Sequence, residues 1–261
     1  MKHIEADVVL VGGGMSGLCA ATQAQESLNA TGGGSVVVFE KSGTIGGAAN
    51  MGMAFFAVES QLQKETMTND YTKDEAFNFF MEYTHWRSDA KLVRRWFNMS
   101  GETVQWMQDK GVEFLGVFKY FKNSKATQHM VKLPGSNKPT ERCASVMIKT
   151  VTEYAREIGV EFNLNTPVKQ LLTGSQGQAR GVIAVGEDGE EIECLANAVI
   201  VTTEKDAVKL TNRSRIPETV QRKLYYVPVQ VSFVGDSEAE FLRQIELYVR
   251  TNQKYSVLHP E

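Results

Sequence analysis

The sequence predicts an α/β fold built on a parallel sheet, and three observations carry that expectation. Asp7–Val8–Val9–Leu10–Val11 is an apolar run of strand type that breaks into Gly12–Gly13–Gly14–Met15–Ser16–Gly17. A helix pattern follows at once, with Leu18, Ala21 and Leu28 on one side. Ser35–Val36–Val37–Val38–Phe39 is a second buried-type strand, and it ends in an acid, Glu40. Strands that read as continuous apolar runs, joined by a helix, are the pattern of a sheet covered on both faces.

Each part of that stretch has a mechanical role in binding a dinucleotide. Gly12 permits the tight strand-to-helix turn, and Gly14 lets backbone N–H groups come close to a pyrophosphate. Gly17 lets the helix pack tightly on the strand, so that its positive N-terminus faces the phosphates. Glu40 is placed to accept hydrogen bonds from ribose hydroxyls. Three spaced glycines alone are weak evidence, but the strand before, the helix after and the acid at the next strand's end supply the context. The competing reading is a glycine-rich loop with a solvated glutamate.

Composition narrows the class. A chain of 261 residues buries a substantial core and allows one or two domains. The net charge of −3, with no basic cluster interleaved with aromatics, argues against a nucleic-acid partner. Cys19, Cys143 and Cys194 fit neither a disulfide framework nor a Cys-x-x-Cys metal site, so no metal and a cytoplasmic location are expected. Met1–Ala6 leads straight into the first strand, and no signal peptide is expected. No apolar run approaches the roughly 18 residues of a membrane span.

Along the chain, Asn29–Gly34 is a flexible connection, and Gly46–Gly47 forms a second glycine pair just past the acid. Such a pair suits a cofactor larger than a nicotinamide dinucleotide. Asp74 to Trp86 reads as a helix with Phe77, Phe80, Met81 and Trp86 as core. Ser88 and Ser100 read as N-caps, the latter of a helix ending at Gly111. Residues 112–140 read as irregular, with His129 expected on a surface loop and a functional histidine as the alternative reading. Glu141 to Ile158 is an amphipathic helix stopped by Gly159. Val160–Leu164 is a strand, Thr166–Pro167–Val168 opens another, and Gly181–Gly186 pairs with Glu191–Leu195 around Asp188–Gly189. Ala198–Thr203 is a further buried strand.

Three motifs in order then resemble a family: Val11–Gly17, Phe39–Glu40–Lys41 and Gly46–Gly47–Ala48–Ala49–Asn50–Met51–Gly52. They are similar to the FAD-binding amino terminus of the fumarate reductase/succinate dehydrogenase flavoproteins, through about residue 203. The resemblance implies a Rossmann-like domain, parallel sheet plus antiparallel meander, over residues 1–203. It implies FAD as cofactor, with contacts from Gly12, Gly14, Met15, Ser16, Gly17, Glu40, Lys41, Gly46, Gly47, Ala48, Val168 and Thr202. In that family the glycine loop holds the pyrophosphate, the acid takes the adenosine ribose, and the Gly-Gly segment lies on the flavin side. The residue after the Thr-Pro, here Val168, contacts the adenine through its backbone.

After Thr203 the family carries Gly-Gly-Phe-Gly, whereas this chain has Glu204–Lys205–Asp206–Ala207. The family's capping domain, arginine proton donor and substrate histidines have no counterpart among residues 204–261, so no catalytic residue is assigned. Those residues instead resemble the carboxy-terminal end of tetraacyldisaccharide 4'-kinase, the lipid A kinase. Val201–Leu210, Tyr225–Val229 and Tyr248–Gln253 carry that likeness. The kinase's Gly-x-x-x-x-Gly-Lys-[Ser/Thr] loop is absent. The tail reads as a helix 206–210, a strand Tyr225–Phe233 and a helix 238–253.

The expectation is an FAD-binding chimera of oxidoreductase ancestry, catalytically incomplete, its substrate unassigned. A lipid A kinase-related protein and a non-catalytic dinucleotide module are the alternatives. Self-association through uncovered sheet surface is expected as well.

Overall fold

Continuous apolar runs become the middle of a parallel sheet because helices or further strands must cover both of their faces. The computed structural model describes residues 1–203 apart from 70, 139–142 and 176–177, together with the strand at 230–233. In chain order the elements begin with β1 (Lys2–Val11), α1 (Met15–Ala30), β2 (Val36–Phe39), β3 (Ala54–Phe56) and α2 (Gln61–Glu65). Next come α3 (Lys73–Tyr83), α4 (Ala90–Asp109), β4 (Phe114–Lys119), β5 (Ala126–Val131) and α5 (Ala144–Glu157). They close with β6 (Val160–Asn163), β7 (Val168–Thr173), β8 (Ala179–Val185), β9 (Glu191–Val201) and β10 (Gln230–Phe233). The chain divides into two units, residues 1–47 with 152–261, and residues 48–151.

The first unit holds the seven-stranded sheet, in the order β6-β2-β1-β9-β8-β7, with β10 also paired to β9. The run β6-β2-β1-β9 is parallel throughout, in registers such as Val8 opposite Val36 and Val11 opposite Val201. β7, β8 and β9 form the antiparallel meander. Val8, Val9, Leu10, Val36, Val38, Val199 and Ile200 are almost wholly buried, as the sequence pattern requires. α1 lies on this core through Leu18 and Ala21, and Tyr154 of α5 donates to Glu26 Oε1 at 2.9 Å. At Gly159 the chain turns with φ +112°, as expected of a helix-ending glycine.

One expectation here needs correcting. The expected strands Glu191–Leu195 and Ala198–Thr203 are one strand, β9, which ends at Val201 and pairs with β1 from Ile192 onward. Leu195 and Asn197 are the exposed members of a buried–exposed alternation from Cys194 to Ala198, and what changes beyond them is the partner on the other edge, not the strand.

The second unit departs further from the sequence reading. α3 starts at the capping box of Thr72 and Glu75 and stops at Tyr83, so Trp86 lies past its end, with φ +55° and an exposed side chain. α4 is capped by Asp89, not Ser88, and runs unbroken through Ser100. Ser100 is a buried mid-helix residue whose hydroxyl donates to the Phe97 carbonyl and accepts from the Val58 N–H at 3.1 Å. A Cβ on Gly101 would lie 3.0 Å from the Glu59 carbonyl oxygen, so these two small residues let segment 58–60 approach the helix.

Residues 112–138 are not irregular throughout, since β4 and β5 lie among them and form an antiparallel sheet with β3, while 120–125 and 132–138 lie outside any strand. His129, expected on the surface, is fully buried in β5. Its Nε2 lies 2.7 Å from Ser60 Oγ, which in turn caps α2 by accepting from the Gln63 N–H. Burial holds the imidazole pKa below its ordinary value of 6.5, against the raising effect of the Thr127 and Phe55 carbonyls. Above pH 6.5 the ring is neutral both folded and unfolded. As the pH falls below that value the unfolded chain takes up the proton first. The stability tied to a neutral His129 is therefore lost as the pH drops through the lowered folded pKa. Denaturant titrations across this range should show the loss, and His129→Gln should flatten the slope.

No disulfide joins Cys19, Cys143 and Cys194, and all three are buried. Burial, with Glu161 nearby, pushes the Cys194 thiol up to about 12, which makes it unreactive. Among the described residues no helix is long and apolar enough to cross a membrane.

Candidate dinucleotide site

At the carboxyl ends of the parallel strands, β1 turns into α1 through two glycines that cannot be replaced without collision. Gly12 has φ +102°, and a Cβ there would meet Thr202 Oγ1 at 2.9 Å. A Cβ on Gly17 would fall 2.0 Å from the Gly12 carbonyl oxygen, so only glycine allows the helix to sit this close to the strand end. Thr202 completes the turn from β9. Its N–H donates to the Val11 carbonyl at 2.8 Å, and its buried hydroxyl reaches the carbonyls of Val11 and Gly12 at 3.0 and 2.9 Å.

Gly14 differs from its neighbours. A Cβ added there would meet nothing within 4 Å, so open space lies in front of the helix. α1 begins at this residue with no side-chain cap and no acid in its first turn. The first intrahelical bond runs from the Leu18 N–H to the Gly14 carbonyl, 2.9 Å. Helix geometry leaves the N–H groups of Met15, Ser16 and Gly17 without an intrahelical acceptor. Uncapped donors and the positive end of the helix dipole together favour an anion here.

Glu40 follows β2, half-buried, and is held rather than loosely solvated. Its Oε2 accepts from the Gly13 N–H at 2.6 Å, while its Oε1 accepts from the N–H and the hydroxyl of Ser42, both at 2.8 Å. A carboxylate offers about four acceptor sites, so one stays open to a further donor. Ser42 Oγ also lies 2.8 Å from the Thr44 carbonyl. A hydroxyl has a single proton, so a turn of Ser42 toward Thr44 opens a second site on Glu40. Ser42 was not among the expected site residues. A serine two positions after a strand-end acid, able to bond it locally, was the available signal.

The second glycine pair returns to the first. The Gly46 N–H donates to the Gly13 carbonyl at 2.7 Å, and Gly46 forms a parallel bridge with Gly14. Gly46 and Gly47 both have positive φ, and a Cβ on Gly47 would stand 3.5 Å from Gly14 Cα. Ile45, also unforeseen, is buried against Gly13, where a Cβ would come within 2.6 Å of its Cδ1. Ala48 comes next and is exposed, as is Lys41.

Asn163 to Thr166 runs beside the acid. The Glu40 N–H donates to Asn163, the Thr166 N–H to Glu40 and the Asn165 N–H to Ser42, at 2.8 to 3.0 Å. Val168, half-buried, opens β7 two residues beyond this contact. The structure thus gathers Gly12, Gly14, Met15, Ser16, Gly17, Glu40, Gly46 and Gly47 around one loop, with Thr202 beneath it.

Comparison with known proteins agrees with this geometry. The FAD binding domain family matches residues 7–225, which extends past Thr203. Vinyl phenol reductase of Lactiplantibacillus plantarum is 31% identical over 204 residues, which make up 77% of this chain and 38% of that protein. A solved flavocytochrome c3 fumarate reductase superposes with a TM-score of 0.64 at 18% identity, covering 85% of this chain and 37% of that one. This chain therefore spans well under half the length of either. Tetraacyldisaccharide 4'-kinase of Porphyromonas gingivalis is 43% identical over only 51 residues, 19% of this chain and 14% of the kinase. With most of its length matched, and with the glycine loop, uncapped helix and strand-end acid in place, the chain belongs to the FAD binding domain family.

Proposed function

We propose that this chain is a reductase-type flavoprotein, of the fumarate reductase kind, that holds FAD by its dinucleotide end. The observation that carries the reading is the open space at Gly14 before an uncapped helix, with Glu40 beside the same loop. The residues present fit the cofactor. The N–H groups of Met15, Ser16 and Gly17 would hold the pyrophosphate, Glu40 the adenosine ribose and the Val168 backbone the adenine. Gly46, Gly47, Ala48 and Lys41 would lie toward the flavin side, and Thr202 would fix the turn. Bound FAD supplies two-electron redox chemistry. The proteins it resembles are named as reductases of a vinyl phenol and of fumarate, which supports reduction of a small unsaturated substrate as the ancestral reaction.

Turnover by this polypeptide is a separate matter. Glu204, Lys205 and Asp206 stand where the resembled family has glycines that let backbone approach the flavin. The short kinase match supports a chimera joined at Val201–Thr203. Unbridged cysteines fit a cytoplasmic setting. The full chain, purified and exposed to FAD, should show flavin absorbance that survives gel filtration, without reducing fumarate from a reduced dye. A colourless protein that takes up no FAD contradicts the binding reading, and rapid fumarate reduction contradicts the claim of incompleteness.

A further inference from the structure

β9 changes partner halfway along its outer edge. Residues Glu191–Leu195 pair with β8, while Ala198–Val201 have no β8 residue opposite them. β10 runs antiparallel along that second half, with Gln230 opposite Val201, Val231 opposite Ile200, Ser232 opposite Val199 and Phe233 opposite Ala198. On the other edge Val201 stands opposite Val11, and the next residue, Thr202, holds the Val11 and Gly12 carbonyls of the phosphate turn.

We infer that Gln230–Phe233 closes the upper edge of β9 within the same chain and so positions Thr202 under the glycine turn. This strand of the kinase-like tail is then a working part of the dinucleotide site rather than an appendage. A bare strand edge presents a row of unpaired N–H and C=O groups, and an added strand satisfies them. The pairing ends at Val201, one residue before the threonine that braces Gly12, so loosening β10 loosens that brace. The inference rests on the FAD reading for its functional consequence, but not for the pairing itself.

Val231→Pro and Ser232→Pro, each made in the full chain, test it. Successive residues of an antiparallel strand point their N–H groups toward and away from the partner, so only one of the two prolines removes a bond to β9. That variant should raise amide exchange at Ala198–Val201 and weaken FAD binding about tenfold, a change of about 1.4 kcal/mol. The other should stay near wild type in both and serve as the control for folding. Equal effects of the two prolines, or unchanged exchange in both, overturn the inference. A wild-type dimer that either proline dissociates would assign the edge to a second copy and overturn it too. Should the wild type bind no FAD, the cofactor reading fails, while the exchange pattern alone still decides the strand.

Discussion

Replacing Gly17 by alanine should abolish FAD binding and destabilise the nucleotide unit, by the upper end of the roughly 1–3 kcal/mol usual for overpacking. The added methyl would lie 2.0 Å from the Gly12 carbonyl oxygen and 2.8 Å from Thr202 Oγ1. Backbone cannot step aside as a flexible side chain does, so α1 must lift from the end of β1. Gly14→Ala provides the contrast. Its backbone, at φ −62° and ψ 175°, accepts any residue, and the methyl meets nothing within 4 Å. This variant should unfold like the wild type while losing FAD, because the methyl takes space that the pyrophosphate needs. Thermal unfolding and FAD titration of the pair separate the two roles. Equal loss of stability in both would contradict the account.

Glu40→Ala is expected to weaken FAD binding by about 10- to 100-fold, the worth of roughly 1.5–3 kcal/mol for hydrogen bonds to a charged group. The substitution also strips the Gly13 N–H and both Ser42 donors of their acceptor. Some of the loss therefore comes from a loop no longer pinned in place. Glu40→Gln tells the contributions apart, since the amide oxygen can still accept from one of these donors while its NH2 group cannot accept at all. It should bind FAD between the wild type and the alanine variant. Isothermal titration of all three proteins measures this directly.

The parallel core and the glycine loop were legible because local sequence and tertiary role agree there. Val8–Val11 and Val36–Phe39 are buried on both faces, and their sequence shows it. The second unit was less legible because its tertiary contacts override local signals. Ser100 and Gly101 look like a helix break, yet they sit mid-helix to admit the segment Val58–Ser60. His129 looks polar and therefore exposed, but Ser60 supplies the partner that makes its burial tolerable. At the site, spacing marked the glycines and Glu40. The bracing by Thr202 depends on chain segments that come together only on folding, whereas Ser42 bonds Glu40 locally, two residues on. In the tail, the carboxyl end of the expected strand Tyr225–Phe233 coincides with β10, and the expected helices at 206–210 and 238–253 lie outside the described residues.

The most direct measurement is a side-by-side titration of the full chain with FAD and with FMN, which shares the flavin but has neither adenosine nor pyrophosphate bridge. A cradle that grips the dinucleotide end through the α1 N-terminus and Glu40 predicts FAD binding at least about 100-fold tighter, some 2.7 kcal/mol. Equal affinity for the two, or none for FAD, would contradict it.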